Sequence, residues 1–234
     1  MTQDLCAPVA PVVGLVGGIG SGKSGLAHWV SQQAPITVLD GDQLGHQALA
    51  EPELTRKILD RFPSSQDPDN SSTIHSQLQV NRAALAEIVF GDDLESEANR
   101  HDLEEIVHPF IRRRLKEQIQ EHRGQDGCEG ILVDAAVLLE AGWDDLCDHV
   151  VFVDVAEDIR LARVETTRNW TRSDYLDRQA SQRPLQRKQD TADTSLDNST
   201  SLEDSGPRLL SLIHSLHGRN GLNGPDTKSS ASCP

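Results

Sequence analysis

Residues 12–24, VVGLVGGIGSGKS, govern how the rest of the chain is read. Val12, Val13, Leu15 and Val16 make a short apolar run rich in β-branched residues, which predicts a buried strand. The run stops at Gly17-Gly18-Ile19-Gly20-Ser21-Gly22-Lys23-Ser24, an octet of the form GxxxxGK[ST], the phosphate-binding P-loop. Its glycines let the backbone turn through conformations closed to other residues, so that successive amides point inward at a phosphate. Lys23 would reach the outer phosphates, and Ser24 would offer its hydroxyl to a magnesium ion. A helix through Leu26, Ala27, Trp29 and Val30 would aim its positive end at the same point. Strand, loop and helix agree on nucleotide binding. They do not say what is done to the nucleotide.

The chain has 234 residues, enough to bury a core without disulfide staples. With 37 acidic against 22 basic residues its formal charge is −15, which repels nucleic acid over the surface as a whole. Nucleic acid is therefore not an expected partner, and any anion site must be local. Cys6, Cys128, Cys147 and Cys233 form no CxxC pair, which argues against zinc or a disulfide framework and suits a reducing cytoplasm. Asp4 stands where a signal peptide would carry basic residues, so no targeting segment is expected. No stretch approaches the roughly 18 continuous apolar residues of a membrane span.

Downstream, 36–39 (ITVL) predicts a second strand ending at Asp40-Gly41-Asp42. Asp-Gly is good turn chemistry, but carboxylates at the carboxyl end of a strand also stand where open α/β sheets bind ligands. Two short helices are expected between 43 and 61, then a Ser/Asp/Pro/Asn-rich loop over 63–76 that separates the core from a helical insert. In the insert, Ala84, Leu85, Ile88 and Val89 have helical spacing, and a charged helix follows over 93–107. Pro109 is expected to end that helix and to start another, capped by His108, with Phe110, Ile111, Leu115 and Ile119 on one face. Arg112, Arg113 and Arg114 would hold an anion or form a solvated face.

A third strand, 131–134, ends at Asp134, the position of a Walker-B type acid, and an apolar segment over 135–140 returns to the core. A fourth strand covers 150–155. Strands separated by helices predict a parallel sheet covered on both faces. Next comes the chain's one basic region, in which Arg160, Arg163, Arg168, Arg172, Arg178, Arg183, Arg187 and Lys188 gather. An arginine-bearing lid would supply positive charge and exclude water during phosphoryl transfer, although any single arginine can equally pair with Glu157, Asp158 or Asp174. A fifth strand is expected over 193–198 and a closing helix over 202–216. His214 and His217 lack a third metal ligand, and 218–234 reads as a disordered tail.

Taken in series, GLVGGIGSGKS, LDGD, NRAALAEIVF, His108-Pro109, DAAVLLEAG, the RxxxQ pair Arg178 and Gln182, Ala192-Asp193 and Asp197-Asn198 resemble the dephospho-coenzyme A kinase family. The resemblance runs from Val12 to Leu216. It implies an α/β P-loop kinase core with a five-stranded parallel sheet between helices, plus a helical substrate lobe and a lid. On that reading 1–217 is one domain: core 10–60 and 128–217, substrate lobe about 61–127, lid about 160–190. It implies transfer of the γ-phosphoryl of ATP, with Mg2+, to the ribose 3′-hydroxyl of dephospho-CoA. Gly17, Gly18, Gly20, Ser21, Gly22, Lys23, Ser24 and the Gly25 amide would hold the nucleotide, Ser24 the metal, and Asn198 would lie close to the base. Asp42 would orient or deprotonate the hydroxyl, and Asp40, the other acid of this substrate-binding pair, would act on the metal side or position the loop, while His108 and Arg112 would bind the acceptor. Lys23 and a lid arginine, Arg168 or Arg172, would neutralise transition-state charge.

Three residues depart from the family's pattern: Gly25 replaces a hydroxyl residue, Gly41 replaces the alanine of DAD, and Val137 replaces a proline. Another small-molecule P-loop kinase, for a nucleoside monophosphate or shikimate, would share every P-loop argument. A GTP switch fits less well: 42–45 spells DxxG, but no [NT]KxD segment follows. A non-catalytic nucleotide-binding protein would have no need for the combination of Lys23, Ser24 and Asp42.

Overall fold

The apolar runs do form strands. In the computed structural model, which describes residues 9–66, 79–91, 93–180 and 182–220, β1 (Val12–Gly17) is buried at all six positions. β3 (Gly130–Asp134) is buried throughout, and β4 (His149–Asp154) is buried at its four central residues. Burial on both faces explains why these strands read as unbroken apolar runs instead of alternating ones. With β2 (Ile36–Asp40) and β5 (Thr194–Asp197) they make a five-stranded parallel sheet in the order β2-β3-β1-β4-β5. Val12 is in register with Ile131 and Gly14 with Val150, so β1 is central and connections leave it in both directions. A crevice opens outside the carboxyl ends of strands at such a position, and that is where β1 delivers the P-loop.

The chain divides into two compact units, one made of 1–39 and 118–234, the other of 40–117. In the first, α1 (Lys23–Gln33) and α9 (Leu202–Asn220) cover one face of the sheet. Leu26, Ala27 and Val30 meet Leu209 and Ile213 over Val13, Leu15, Leu132, Val151, Val153 and Leu196. The segment after β3 returns to the core through Ala135, Leu138 and Leu139, as its composition suggests, and Trp143 follows it inside. Three shorter helices lie between β4 and β5: α6 (Glu157–Arg168), α7 (Arg172–Ala180) and α8 (Leu185–Thr191).

The second unit is helical. Asp40 caps α2 (Gly41–Ala50), accepting from the Gln43 amide at 2.9 Å, and α3 (Pro52–Arg61) starts with its proline in the first turn. Asn81 caps α4 (Arg82–Val89), accepting from the amides of Ala83 and Ala84. Leu44, Ala48, Leu54, Ile58, Leu59, Leu85, Val89 and Phe110 are buried. Arg61 ties α3 to the long helix that comes after α4, through Asp102 at 2.6 Å and Asn99 at 2.9 Å.

One expectation fails here. No helix ends or begins at Pro109; a single helix, α5, runs from Leu94 to Arg123 with Pro109 inside it, so His108 is an interior residue and not a cap. A mid-helix proline removes one hydrogen bond and costs about 3 kcal/mol. Phe110, Ile111, Leu115 and Ile119 are all buried on one continuous helical stripe, however, and burying four such side chains outweighs that penalty at about 1.5–3 kcal/mol each. Pro109 itself is exposed, where water can serve the carbonyl it leaves without a donor. The closing helix also outruns expectation, since 218–220 continue α9. Most of the 63–76 loop and all of 221–234 lie outside the described residues; 63–65 form a 3₁₀ turn.

Candidate active site

β1 ends in a loop whose shape depends on glycine. Gly20 (φ 78°) and Gly22 (φ 83°) have left-handed backbones, and a Cβ on Gly20 would stand 2.5 Å from the Arg160 carbonyl. Gly22 is the N-cap of α1 and caps it with no side chain, so the helix's leading amides keep their donors for a ligand. Lys23 folds back over the loop, its Nζ 3.2 Å from the Gly17 carbonyl, 3.3 Å from that of Gly18 and 3.5 Å from Ser21 Oγ. Ser24 and Gly25 are exposed in the first turn of α1. Residues 17–25 thus bring together a glycine-shaped turn, the first-turn amides of α1 and the Lys23 ammonium, the kind of arrangement with which P-loops hold phosphates.

The loop is gripped from outside by residues far along the chain. Asn198, just past β5, is 1% exposed; its Nδ2 donates to the Ser21 carbonyl at 2.8 Å, and its Oδ1 accepts from Ser205 Oγ at 2.6 Å. Asn198 therefore uses both ends of its side chain inside the protein, under the loop. Arg163 reaches the same carbonyl with Nη1 at 3.3 Å and donates to the Asn198 carbonyl with Nη2 at 2.8 Å. Arg160 donates to the Ile19 carbonyl at 3.4 Å. Among the basic run, these two are the arginines that touch the P-loop in the described structure. Their signal in the sequence is position: they fall in the first two turns of the helix that leaves β4, the strand beside β1.

Arg168 and Arg172, favoured from the resemblance, lie elsewhere, exposed at the turn joining α6 to α7. Asn169 makes that turn in a left-handed conformation (φ 55°). Trp170 stacks with two guanidiniums there, Arg168 at 4.9 Å and Arg178 at 4.2 Å from its ring centre. Gln182, the other half of the RxxxQ pair, accepts from Lys188 Nζ at 3.2 Å. Lys188 is itself buried and paired with Glu140 at 2.9 Å, which joins α8 to the apolar segment after β3.

Of the carboxylates, Asp134 closes β3 and is 9% exposed, in register with Leu15, two residues before the loop. In the other unit, Asp40 is committed to capping α2, and Asp42 is exposed in the first turn of that helix, where helix polarity favours a negative side chain. His108 and Arg112 are one turn apart on α5, both half-buried. Burial pushes the His108 pKa below its ordinary value, opposed in part by Glu104 one turn earlier, so the ring is neutral at pH 7.

Comparison with known proteins gives this geometry a family. The model of the family described as dephospho-CoA kinase matches residues 11–204, from the first strand to the start of α9. The chain belongs to the dephospho-CoA kinase family. Among curated members of the family it is 32% identical over 204 residues to the dephospho-CoA kinase of Halalkalibacterium halodurans, covering 86% of this chain and 94% of the relative. It is 30% identical over 209 residues to that of Carboxydothermus hydrogenoformans, covering 88% and 94%. The crystal structure of TT1252 from Thermus thermophilus superposes with a TM-score of 0.72 at 27% identity, over 89% of this chain and 98% of that one. Family membership accounts for the matched segment as a whole, including the second, helical unit.

Proposed function

We infer that the chain transfers the γ-phosphoryl group of ATP to the ribose 3′-hydroxyl of dephospho-CoA, giving coenzyme A and ADP. The observation that carries the reading is the glycine-shaped turn of 17–24 with Lys23 folded over it, a fitting site for the donor phosphates in a chain of this family. Lys23 and the loop amides hold the β and γ phosphates, and the α1 N-terminus adds its partial charge. Ser24, exposed beside Lys23, would hold a magnesium ion, which would supply charge neutralisation to the phosphates. Asp42 orients the 3′-hydroxyl and takes its proton; its carboxylate stands on the helix that directly follows β2. Asp40 fixes that helix start, and His108 with Arg112 binds the acceptor. Arg168 or Arg172 brings a further cation from the α6–α7 turn. Because the protein takes little covalent part in phosphoryl transfer, positioning and charge lower the barrier. Among the described residues no helix is long and apolar enough to cross a membrane, and Cys128 and Cys147 are free thiols, which suits reaction in the cytoplasm.

The test is ADP release from ATP and magnesium with dephospho-CoA, with AMP, and with no acceptor. Rapid release with dephospho-CoA alone is expected. Equal rates in all three would refute the assignment.

A further inference from the structure

Arg160 stands apart from every other arginine described. It is 3% exposed, in the first turn of α6, yet among the described residues no carboxylate lies within ion-pair distance of it. Its partners are neutral. Nε donates to the Val155 carbonyl at 3.1 Å, just past β4; Nη1 donates to Gln179 Oε1 on α7 at 3.1 Å and to the Ile19 carbonyl in the P-loop at 3.4 Å. The guanidinium also lies over the Tyr175 ring, 5.7 Å from its centre. A side chain at Gly18 would collide with Nη1, so the loop backbone sits directly against the cation. Guanidinium cannot lose its proton in a protein, and a buried cation without a countercharge is held at a penalty. A neutral donor at this position would carry no such penalty. The charge therefore calls for a partner that the chain's own described residues do not provide.

The feature nearest to hand that gathers negative charge is the P-loop itself. We propose that Arg160 is a positioning residue for phosphoryl transfer: it grips the P-loop from its outer face, registers α7 on the same guanidinium, and takes its countercharge from the phosphates bound in the loop. The proposal rests on the ATP reading of 17–24. It makes nucleotide occupancy and the order of the α6–α7 pair two consequences of one side chain. In the empty protein Arg160 holds loop and lid helix against neutral acceptors only. With nucleotide bound, the same contacts are strengthened by the nearby phosphate charge, and α7 tightens with the loop.

Three variants of the full chain test this: Arg160→Gln, Arg160→Lys and Gln179→Ala. For each, measure the apo melting temperature, its rise with a non-hydrolysable ATP analogue and magnesium, KM for ATP against kcat, and tryptic cleavage within 168–187 with and without the analogue. Arg160→Gln is expected to melt within a few degrees of the wild type without nucleotide but to lose most of the nucleotide-induced rise. Its KM for ATP should increase about tenfold, the scale of one hydrogen bond to a charged group, with Arg160→Lys in between. Gln179→Ala, which leaves Arg160 on the loop, should keep KM for ATP within about twofold of the wild type while the analogue no longer protects α7 from trypsin. An Arg160→Gln protein that is destabilised when empty, with KM for ATP and the nucleotide-induced rise unchanged, would reduce Arg160 to a packing residue and overturn the proposal. Should that variant fail to fold, protection of α7 persisting in Gln179→Ala overturns it independently. A wild type whose melting does not respond to nucleotide at all would refute the ATP reading, and the proposal with it.

Discussion

Removing the carboxamide of Asn198 gives the sharpest measure of how the P-loop is supported. Asn198→Ala deletes two side-chain hydrogen bonds, to the Ser21 carbonyl at 2.8 Å and from Ser205 Oγ at 2.6 Å. Neither partner is stranded: the Ser21 carbonyl keeps Arg163 Nη1 at 3.3 Å, and Ser205 Oγ keeps the Ser201 carbonyl at 3.1 Å. The loss is then the net value of two bonds, about 1 kcal/mol each, without the larger penalty of an orphaned buried group. About 2 kcal/mol in a chain of this size lowers the melting temperature by about 4–8 °C. Ser205→Ala removes one of the same two bonds, so the pair should be non-additive. Urea denaturation of the wild type, both single variants and the double variant should give a coupling of about 1 kcal/mol. KM for ATP should rise in Asn198→Ala, because Ser21 and its neighbours are held less firmly. Stability equal to the wild type with impaired ATP binding would refute this account and make Asn198 a direct nucleotide contact; additive single effects would refute the role of Ser205.

Four further outcomes follow from the geometry. Asp42→Asn should lower kcat by about two orders of magnitude while leaving ATP binding near normal, as loss of a general base does; isothermal titration with an ATP analogue separates the two. At Gly25 an added Cβ meets nothing nearer than Leu202 Cδ1 at 3.7 Å, so Gly25→Ala should fold normally and gain about 0.5 kcal/mol in urea denaturation through its lower unfolded-state entropy. Because the fold holds His108 neutral, its pKa is lower folded than unfolded. Stability should therefore be fully present above the ordinary histidine pKa of about 6.5 and decline as pH falls from there towards the folded pKa; His108→Gln should flatten that decline in denaturation curves taken between about pH 7.5 and 5. Burial first, then Asp148, Asp144 and Asp145, push the Cys147 thiol up to about 12. At pH 8 about one molecule in ten thousand then carries its thiolate, so Cys147→Ser should leave the number of fast-reacting thiols in native protein unchanged.

Strands β1 to β4 were legible because each is a short apolar run with β-branched residues, and because β1 and β3 are buried on both faces their runs had no polar interruption. The P-loop was legible because its backbone needs residues that nothing else can replace, glycines at left-handed positions among them. Pro109 misled for a physical reason: a local rule about one residue lost to the packing of Phe110, Ile111, Leu115 and Ile119, which lie too far apart to be weighed in a single turn. The basic run was visible as a cluster, but composition could not say which arginine faces inward. That depends on the direction in which α6 leaves β4, which buries Arg160 and brings Arg163 to the Ser21 carbonyl while leaving Arg168 at the far end. Asn198 sits 177 residues from the carbonyl it holds, and no local pattern announces a bond of that span.

The stacking of Arg168 and Arg178 on Trp170 gives the chain an optical label of its own. Of its three tryptophans, Trp143 is sealed in the core and Trp29 packs against the α1–α9 layer, so both contribute a steady emission. Trp170 has two cations over its indole ring, at 4.9 and 4.2 Å, in the turn between α6 and α7. Departure of either guanidinium towards an anion elsewhere would uncover that face and alter its quenching and emission wavelength. Intrinsic fluorescence can thus follow these arginines in unmodified protein, during turnover, with no probe attached.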